Sequence, residues 1–167
     1  MSPLADVLGM RAGTLEAVVA ALKARKETVA TAESLTAGLV CAALTSVPGA
    51  SAVVRGGFVV YATDLKWGLA GVDPELLAAR GAVDPDVAVQ LATGARDRCG
   101  ATWGLGLTGV AGPDPQDGVG PGTVHIGIAG YGSVNVSTIT VAGDRHAVRS
   151  AAVRAALDLL SSRLDAP

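Results

Sequence analysis

Apolar residues recur along the chain with two different periods, and the switching between them sets the expected order of elements. Leu15, Val18, Val19 and Leu22 fall at helical spacing between Gly13 and Lys26. Lys23, Arg25 and Lys26 occupy the last turn, where cations complement the helix dipole. Thr28 to Thr31 reads as a short strand, and Leu35, Leu39, Val40 and Leu44 read as one side of a helix that opens directly after Glu33-Ser34 and stops at Pro48-Gly49. The run from Val53 to Tyr61 is β-branched or aromatic except at Arg55-Gly56-Gly57. This predicts a strand whose glycines mark a bulge or the close approach of another backbone.

A short helix follows over Asp64 to Leu69, then a helical turn begun at Pro74. Asp84-Pro85, an N-cap followed by proline at the first helical position, opens a helix carrying Val87, Val89, Leu91 and Ala92 toward Arg98. Ala101 to Thr108 is apolar enough to be a strand buried on both sides, and a loop rich in glycine and proline runs from Gly109 to Gly122. Thr123 to Ala129 and Val134 to Val141 form two strands joined by a tight hairpin at Gly130-Tyr131-Gly132-Ser133. Asp144 then caps a final helix with Val148, Ala152, Val153, Ala156, Leu157 and Leu160 on one side. Alternating helices and strands followed by a hairpin predict a three-layer α/β/α sandwich with a mixed β-sheet, a single domain over residues 1–167.

Composition adds that the core is built from small aliphatic side chains: 50% of residues are hydrophobic, only 3% are aromatic, and there are 22 glycines. The net charge of −2 and the scattered basic residues argue against a nucleic-acid partner. Cys41 and Cys99 have neither metal-type spacing nor the density of a disulfide framework, as expected for thiols in a reducing cytoplasm. No leader pattern opens the chain, and no uncharged apolar run approaches the roughly 18 residues of a membrane span. A soluble cytoplasmic protein without membrane contact is the expectation. His125 sits in an apolar strand as a core histidine and His146 on the surface of the last helix, so no metal-ligand cluster is expected.

Chemistry concentrates at Thr31-Ala32-Glu33-Ser34-Leu35-Thr36-Ala37-Gly38, where a buried strand meets a helix. A serine there lies close to N–H groups that lack intrahelical partners, which suits either a helix cap or a nucleophile whose oxyanion those groups hold. Glu33 reads as a helix-start carboxylate. Tyr61 and Lys66 lie five residues apart across a strand end and can project at the same sheet edge. A partly buried lysine there loses basicity and can take a serine proton. The small residues of Thr108-Gly109-Val110-Ala111-Gly112-Pro113 let backbone N–H groups approach a ligand such as a phosphate, and Arg145 at a helix start can grip one with its planar fork. Ser51, after Pro48-Gly49-Ala50, is a second serine able to approach Lys66.

Taken together and in order, Ala32-Glu33-Ser34-Leu35-Thr36-Ala37-Gly38, Gly57-Phe58-Val59-Val60-Tyr61 with Lys66, Gly81-Ala82-Val83, Thr108 to Pro113, Gly122-Thr123-Val124 and Gly143-Asp144-Arg145 resemble the CinA C-terminal domain family. The resemblance runs from about Thr28 to the final helix. It implies hydrolysis of the carboxamide of nicotinamide mononucleotide to nicotinate mononucleotide and ammonia by a serine–lysine hydrolase that needs no metal or cofactor. Ser34 would then be the nucleophile, Lys66 the general base and Tyr61 an orienting or proton-relaying group. Glu33, Thr36, Thr108, Gly109 and Gly112 would line the substrate site, and Arg145 would meet the phosphate. Ser34 is favoured over Ser51 because a helix start lies beside it.

The resemblance also implies a homodimer and a stand-alone domain, without the additional N-terminal domain that is linked in this family to nucleotide pyrophosphatase activity. A reading of another class, a nucleotide-sensing or protein-interaction domain tied to competence and DNA damage, predicts binding without turnover. Two departures stand out. Leu35-Thr36-Ala37-Gly38 replaces the usual Cys-Thr-Gly-Gly, and Asp114 to Gly122 lacks the usual lysine.

Overall fold

The computed structural model describes residues 2–165. Five strands form one mixed sheet in the order β2-β1-β3-β4-β5, with β1 (Val29–Glu33), β2 (Val54–Val59), β3 (Trp103–Gly109), β4 (Thr123–Gly130) and β5 (Ser133–Thr140). β1 lies parallel to both β2 and β3, whereas β4 and β5 add on antiparallel. Parallel strands need crossovers, and these cover both faces. One face carries α1 (Pro3–Val7), α2 (Thr14–Arg25), α3 (Leu39–Thr45) and α7 (Arg145–Leu164) over a core that includes Val19, Leu44, Leu105, Ile126 and Leu157. The other carries α4 (Thr63–Gly68), α5 (Pro74–Arg80) and α6 (Pro85–Cys99) over Ala30, Ala32, Val60 and Leu91. The expected three-layer α/β/α sandwich is the observed one, and β1 and β3 are buried along their whole length.

Because the chain leaving β1 turns through α3 toward β2 on one side, while the chain leaving β3 turns toward β4 on the other, the connections part at the carboxyl ends of these neighbouring parallel strands. A crevice opens at such a switch point. The segments that follow β1, β2 and β3 meet there.

Two sequence expectations are corrected. The strand expected over Thr28 to Thr31 continues through Glu33, so Glu33 ends β1 rather than beginning a helix. The following helix begins at Leu39, not Leu35, and Ser34 to Gly38 form a turn. The short α1 lacked enough periodic positions to be read from the sequence. The glycines of β2 do both things expected of them. The register shifts between Val29 and Ala30 across from Arg55, and a Cβ on Gly57 would lie 3.3 Å from the Thr31 carbonyl oxygen, with the Thr31 hydroxyl closer still.

α6 lies directly against the sheet. A Cβ on Gly106 would meet the Ala88 carbonyl oxygen at 2.4 Å, and Gly104 and Gly127 face the same helix backbone as closely. Among the described residues no helix is long and apolar enough to cross a membrane. Gly106→Ala is expected to lower stability by about 2–3 kcal/mol, because rigid backbone cannot yield to the added methyl. Gly68→Ala, where nothing lies within 4 Å, should stay within about 0.5 kcal/mol. Urea denaturation of the two variants checks both.

Candidate functional site

β1 ends on Glu33, whose side chain is fully buried and takes four hydrogen bonds. Thr36 Oγ1 at 2.7 Å and Val40 N at 2.9 Å donate to one carboxylate oxygen, and Thr31 Oγ1 at 3.0 Å and Cys41 N at 3.1 Å donate to the other. The carboxylate therefore caps α3 from the end of the neighbouring strand and satisfies donors that a helix start leaves unpaired. The side chains of Glu33 and Thr36 turn into this internal network and do not line the crevice, contrary to their expected place as substrate-lining side chains; the backbone N–H of Thr36 stays beside Ser34. The turn they enclose holds Ala37 at φ +48°, a left-handed conformation that costs a non-glycine residue about 1 kcal/mol.

With α3 capped by Glu33, the Ser34 hydroxyl is left free for another partner. Lys66, on α4 and only 1% exposed, places Nζ 2.9 Å from Ser34 Oγ, 2.8 Å from the Val60 carbonyl oxygen and 3.2 Å from that of Tyr61. As an ammonium it donates to all three oxygens. As a free amine it donates to the two carbonyls and turns its lone pair to the Ser34 hydroxyl. Burial away from water pushes the Lys66 amine down to about 8, partly opposed by the Asp117 carboxylate. Both forms are thus accessible close to neutral pH.

Ser34 opens onto a cleft of about 440 Å³ walled by Tyr61 and Thr63 on one side and by residues 109–116 on the other. That size suits a small organic ligand. Arg145, at the start of α7, spans the mouth: Nη1 donates to the Gly112 carbonyl at 2.9 Å and Nη2 to the Tyr61 hydroxyl at 2.8 Å. Asp144 fixes that helix start by accepting from Ala147 N at 2.8 Å. Among the lining residues Arg145 is the one cation and Asp114 the one acid.

The structure thus brings Ser34, Lys66, Tyr61, Gly109, Gly112 and Arg145 together, and it leaves four expected residues elsewhere: Glu33 and Thr36 in the buried network, and Ser51 and Thr108. Ser51 is exposed in a 3₁₀ turn (Ala50–Ala52) and borders a separate depression with Thr45 and Val54, away from Lys66. Thr108 is buried, with its hydroxyl donated to the Ala82 carbonyl at 2.6 Å, so it braces the wall from behind. The helix start itself is closed to ligands, since Val40 N and Cys41 N are bound to Glu33. The N–H groups of Leu35 and Thr36, beside Ser34, find no acceptor among the described residues. Arg149 was not singled out in the sequence; it donates Nε to the Leu35 carbonyl at 2.9 Å and so holds the turn after Ser34. Its only signal was its place one turn beyond Arg145.

Comparison with known proteins follows the same lines. The model of the CinA C-terminal domain matches residues 12–164. A CinA-like protein of Frankia casuarinae is 49% identical over 161 residues, covering 96% of this chain and 37% of the relative. A putative competence-damage inducible protein of Geobacillus kaustophilus is 48% identical over 129 residues, covering 77% of this chain and 31% of the relative. The chain therefore spans about a third of the length of these curated relatives. Among solved structures, competence damage-inducible protein A of Klebsiella pneumoniae superposes with a TM-score of 0.87 at 32% identity over 90% of this chain and 94% of its own. The competence/damage inducible protein CihA of Agrobacterium tumefaciens does so at 0.87 and 34%, over 93% of this chain and 98% of its own.

Two outcomes are expected of the site's scaffold. Glu33→Ala leaves the N–H groups of Val40 and Cys41 without partners at about 1–3 kcal/mol each, and should lower stability by about 3–5 kcal/mol in a thermal or urea melt. Lys66 titrates at about 8 in the folded protein against an ordinary 10.5, so between these values the unfolded chain binds more protons and stability rises with pH. Relative to Lys66→Met, the wild-type protein should gain about 1.4 kcal/mol per pH unit across that window, read from urea titrations at a series of pH values.

Proposed function

Because the chain belongs to the CinA C-terminal domain family, we propose that it hydrolyses the carboxamide of nicotinamide mononucleotide, giving nicotinate mononucleotide and ammonia through an acyl-enzyme on Ser34. The observation that carries this reading is the 2.9 Å contact between Ser34 Oγ and the buried Lys66 Nζ at the floor of a cleft of ligand size. A lysine is a general base only when neutral, and burial is what brings it there.

The chemistry then follows in two halves. The Lys66 amine takes the Ser34 proton, and Oγ attacks the carboxamide carbon. The resulting oxyanion is met by the N–H groups of Leu35 and Thr36 beside Ser34, which have no acceptor among the described residues, in place of the occupied N–H groups of α3. As the carbon–nitrogen bond breaks, the Lys66 ammonium returns its proton to the departing nitrogen, and ammonia leaves an ester on Ser34. Water, deprotonated by Lys66, attacks that ester, and the carboxylate product departs as Oγ regains its proton. The carbonyls of Val60 and Tyr61 hold Nζ in place through both halves. Arg145, the one cation among the cleft's lining residues, meets the substrate phosphate.

Ammonia release from nicotinamide mononucleotide by the purified protein, with free nicotinamide as comparison, is the test. The wild-type protein should release ammonia from the nucleotide in preference to the free base. Ser34→Ala and Lys66→Met should each lose about 10³-fold or more, and Ser51→Ala should match the wild type. The rate kcat/KM should rise with pH as Lys66 loses its proton near 8. Arg145→Ala should raise KM about 10–100-fold, the worth of a charged hydrogen-bonded contact. Nucleotide binding without ammonia release would instead favour the sensing reading.

A further inference from the structure

Each of the three segments that meet at the crevice is bound to the first two turns of α7. Arg145 holds the segments after β2 and β3 through the Tyr61 hydroxyl and the Gly112 carbonyl, and Arg149 holds the segment after β1 through the Leu35 carbonyl. The last contact has a second end. The Leu35 oxygen belongs to the same peptide unit as the Thr36 N–H, and that peptide is trans, so the two groups point in opposite directions. Fixing the oxygen fixes the N–H. The neighbouring unit is held by backbone alone: the Ser34 carbonyl, which shares its peptide with the Leu35 N–H, accepts from Ala37 N at 3.0 Å, and Ser34 N donates to the Leu107 carbonyl at 3.0 Å. A side chain holds the second unit. Arg149 Nε lies 2.9 Å from the Leu35 oxygen, and no other donor among the described residues reaches that oxygen.

Resting on the reading of Ser34 and Lys66 given above, we propose that Arg149 is a positioning residue for the oxyanion: through the Leu35 carbonyl it aims and polarises the Thr36 N–H that meets the charge formed when Ser34 attacks. Arg149 is half-buried and does not line the cleft, so it touches neither the substrate nor the reacting atoms. Its effect passes through one peptide. A guanidinium donates a charge-assisted hydrogen bond, roughly twice as strong as a neutral one, and a carbonyl so engaged makes the N–H across its peptide a stronger donor. Arg145 and Arg149 thus divide two tasks one helical turn apart, the first facing the substrate's phosphate and the second serving the transition state. The second task is absent from the ground state, so the two arginines separate in kinetics.

Arg149→Met keeps much of the aliphatic stem and removes the donor. Its kcat on nicotinamide mononucleotide should fall about 10–100-fold, short of the ~10²–10³-fold that loss of a whole oxyanion donor costs, with KM unchanged. Arg145→Ala, by contrast, moves KM. Arg149→Lys keeps a charged donor and should fall between Arg149→Met and the wild type. Arg154→Met removes a like bond from the same helix to the Leu8 carbonyl and should leave kcat and KM as they are. A readout apart from turnover comes from the three Leu-Thr peptides of the chain, Leu35-Thr36, Leu44-Thr45 and Leu107-Thr108. With ¹³C at the leucine carbonyl and ¹⁵N in threonine, these alone give signals in a spectrum selected for bonded ¹³C–¹⁵N pairs, and Thr36→Ser identifies the first by its loss. Arg149→Met should displace that signal and leave the other two in place, and Arg149→Lys should displace it less. In either variant a loss of kcat without displacement, or displacement without loss, overturns the proposal. So does Arg149→Met, or Arg149→Lys where the methionine variant does not fold, unchanged in both. Should the wild-type protein release no ammonia, the acyl-enzyme reading fails and this role with it, whereas ammonia release indifferent to Arg149 fails the role alone.

Discussion

The structure turns on one buried carboxylate. Glu33 stands at the end of β1 and collects two hydroxyls and two backbone N–H groups, and in doing so it joins β1, the Ser34–Gly38 turn and α3 into one unit. Such a group is costly to bury and strongly directional once satisfied. Because it caps the helix, the serine next to it need not. Ser34 is therefore rigidly placed with its hydroxyl on Lys66, and among the described residues the N–H groups of Leu35 and Thr36 beside it have no acceptor.

Much of this fold was legible in the sequence because each layer obeys its own period. The helical spacing of Leu15 to Leu22, the Asp84-Pro85 start and the Asp144 cap all lead to helices where expected, and the near-continuous apolar stretch before Thr108 is the strand buried on both faces. What failed was local. Apolar positions from Leu35 onward continue a helical period, yet Ala37 and Gly38 adopt left-handed backbone, so the first turn of that expected helix is an irregular turn in its place. Periodicity reports which side of an element is buried and is silent on a backbone reversal that leaves the burial pattern intact.

The site was legible in parts. The pairing of Ser34 with Lys66 and of Tyr61 with Arg145 rests on residues that the sequence offered as candidates, because each lies on a segment that follows a strand of the mixed sheet. Residues that act through another group left weaker traces. Thr108 looked like a lining hydroxyl and is a brace, Glu33 looked like a helix-start acid and is a cap reaching across from a strand, and Ser51 shares a residue type but not a location. The stretch from Gly109 to Gly122 read only as a loop rich in glycine and proline, and the seating of its Asp117 carboxylate on Ala82 N depends on Gly81 leaving room for it, a fact of three dimensions.

The glycine contact between the sheet and α6 bears on how sequences of this kind diverge. At Gly104, Gly106 and Gly127 even a methyl meets fixed backbone, so no graded series of replacements exists and drift there is blocked at its first step. On the opposite face Leu105, Leu107, Ile126 and Ile128 pack against helices through side chains that can trade a methylene with a neighbour. Substitutions should therefore accumulate asymmetrically across a single strand, with alternate residues of β3 evolving at very different rates although all of them are equally buried.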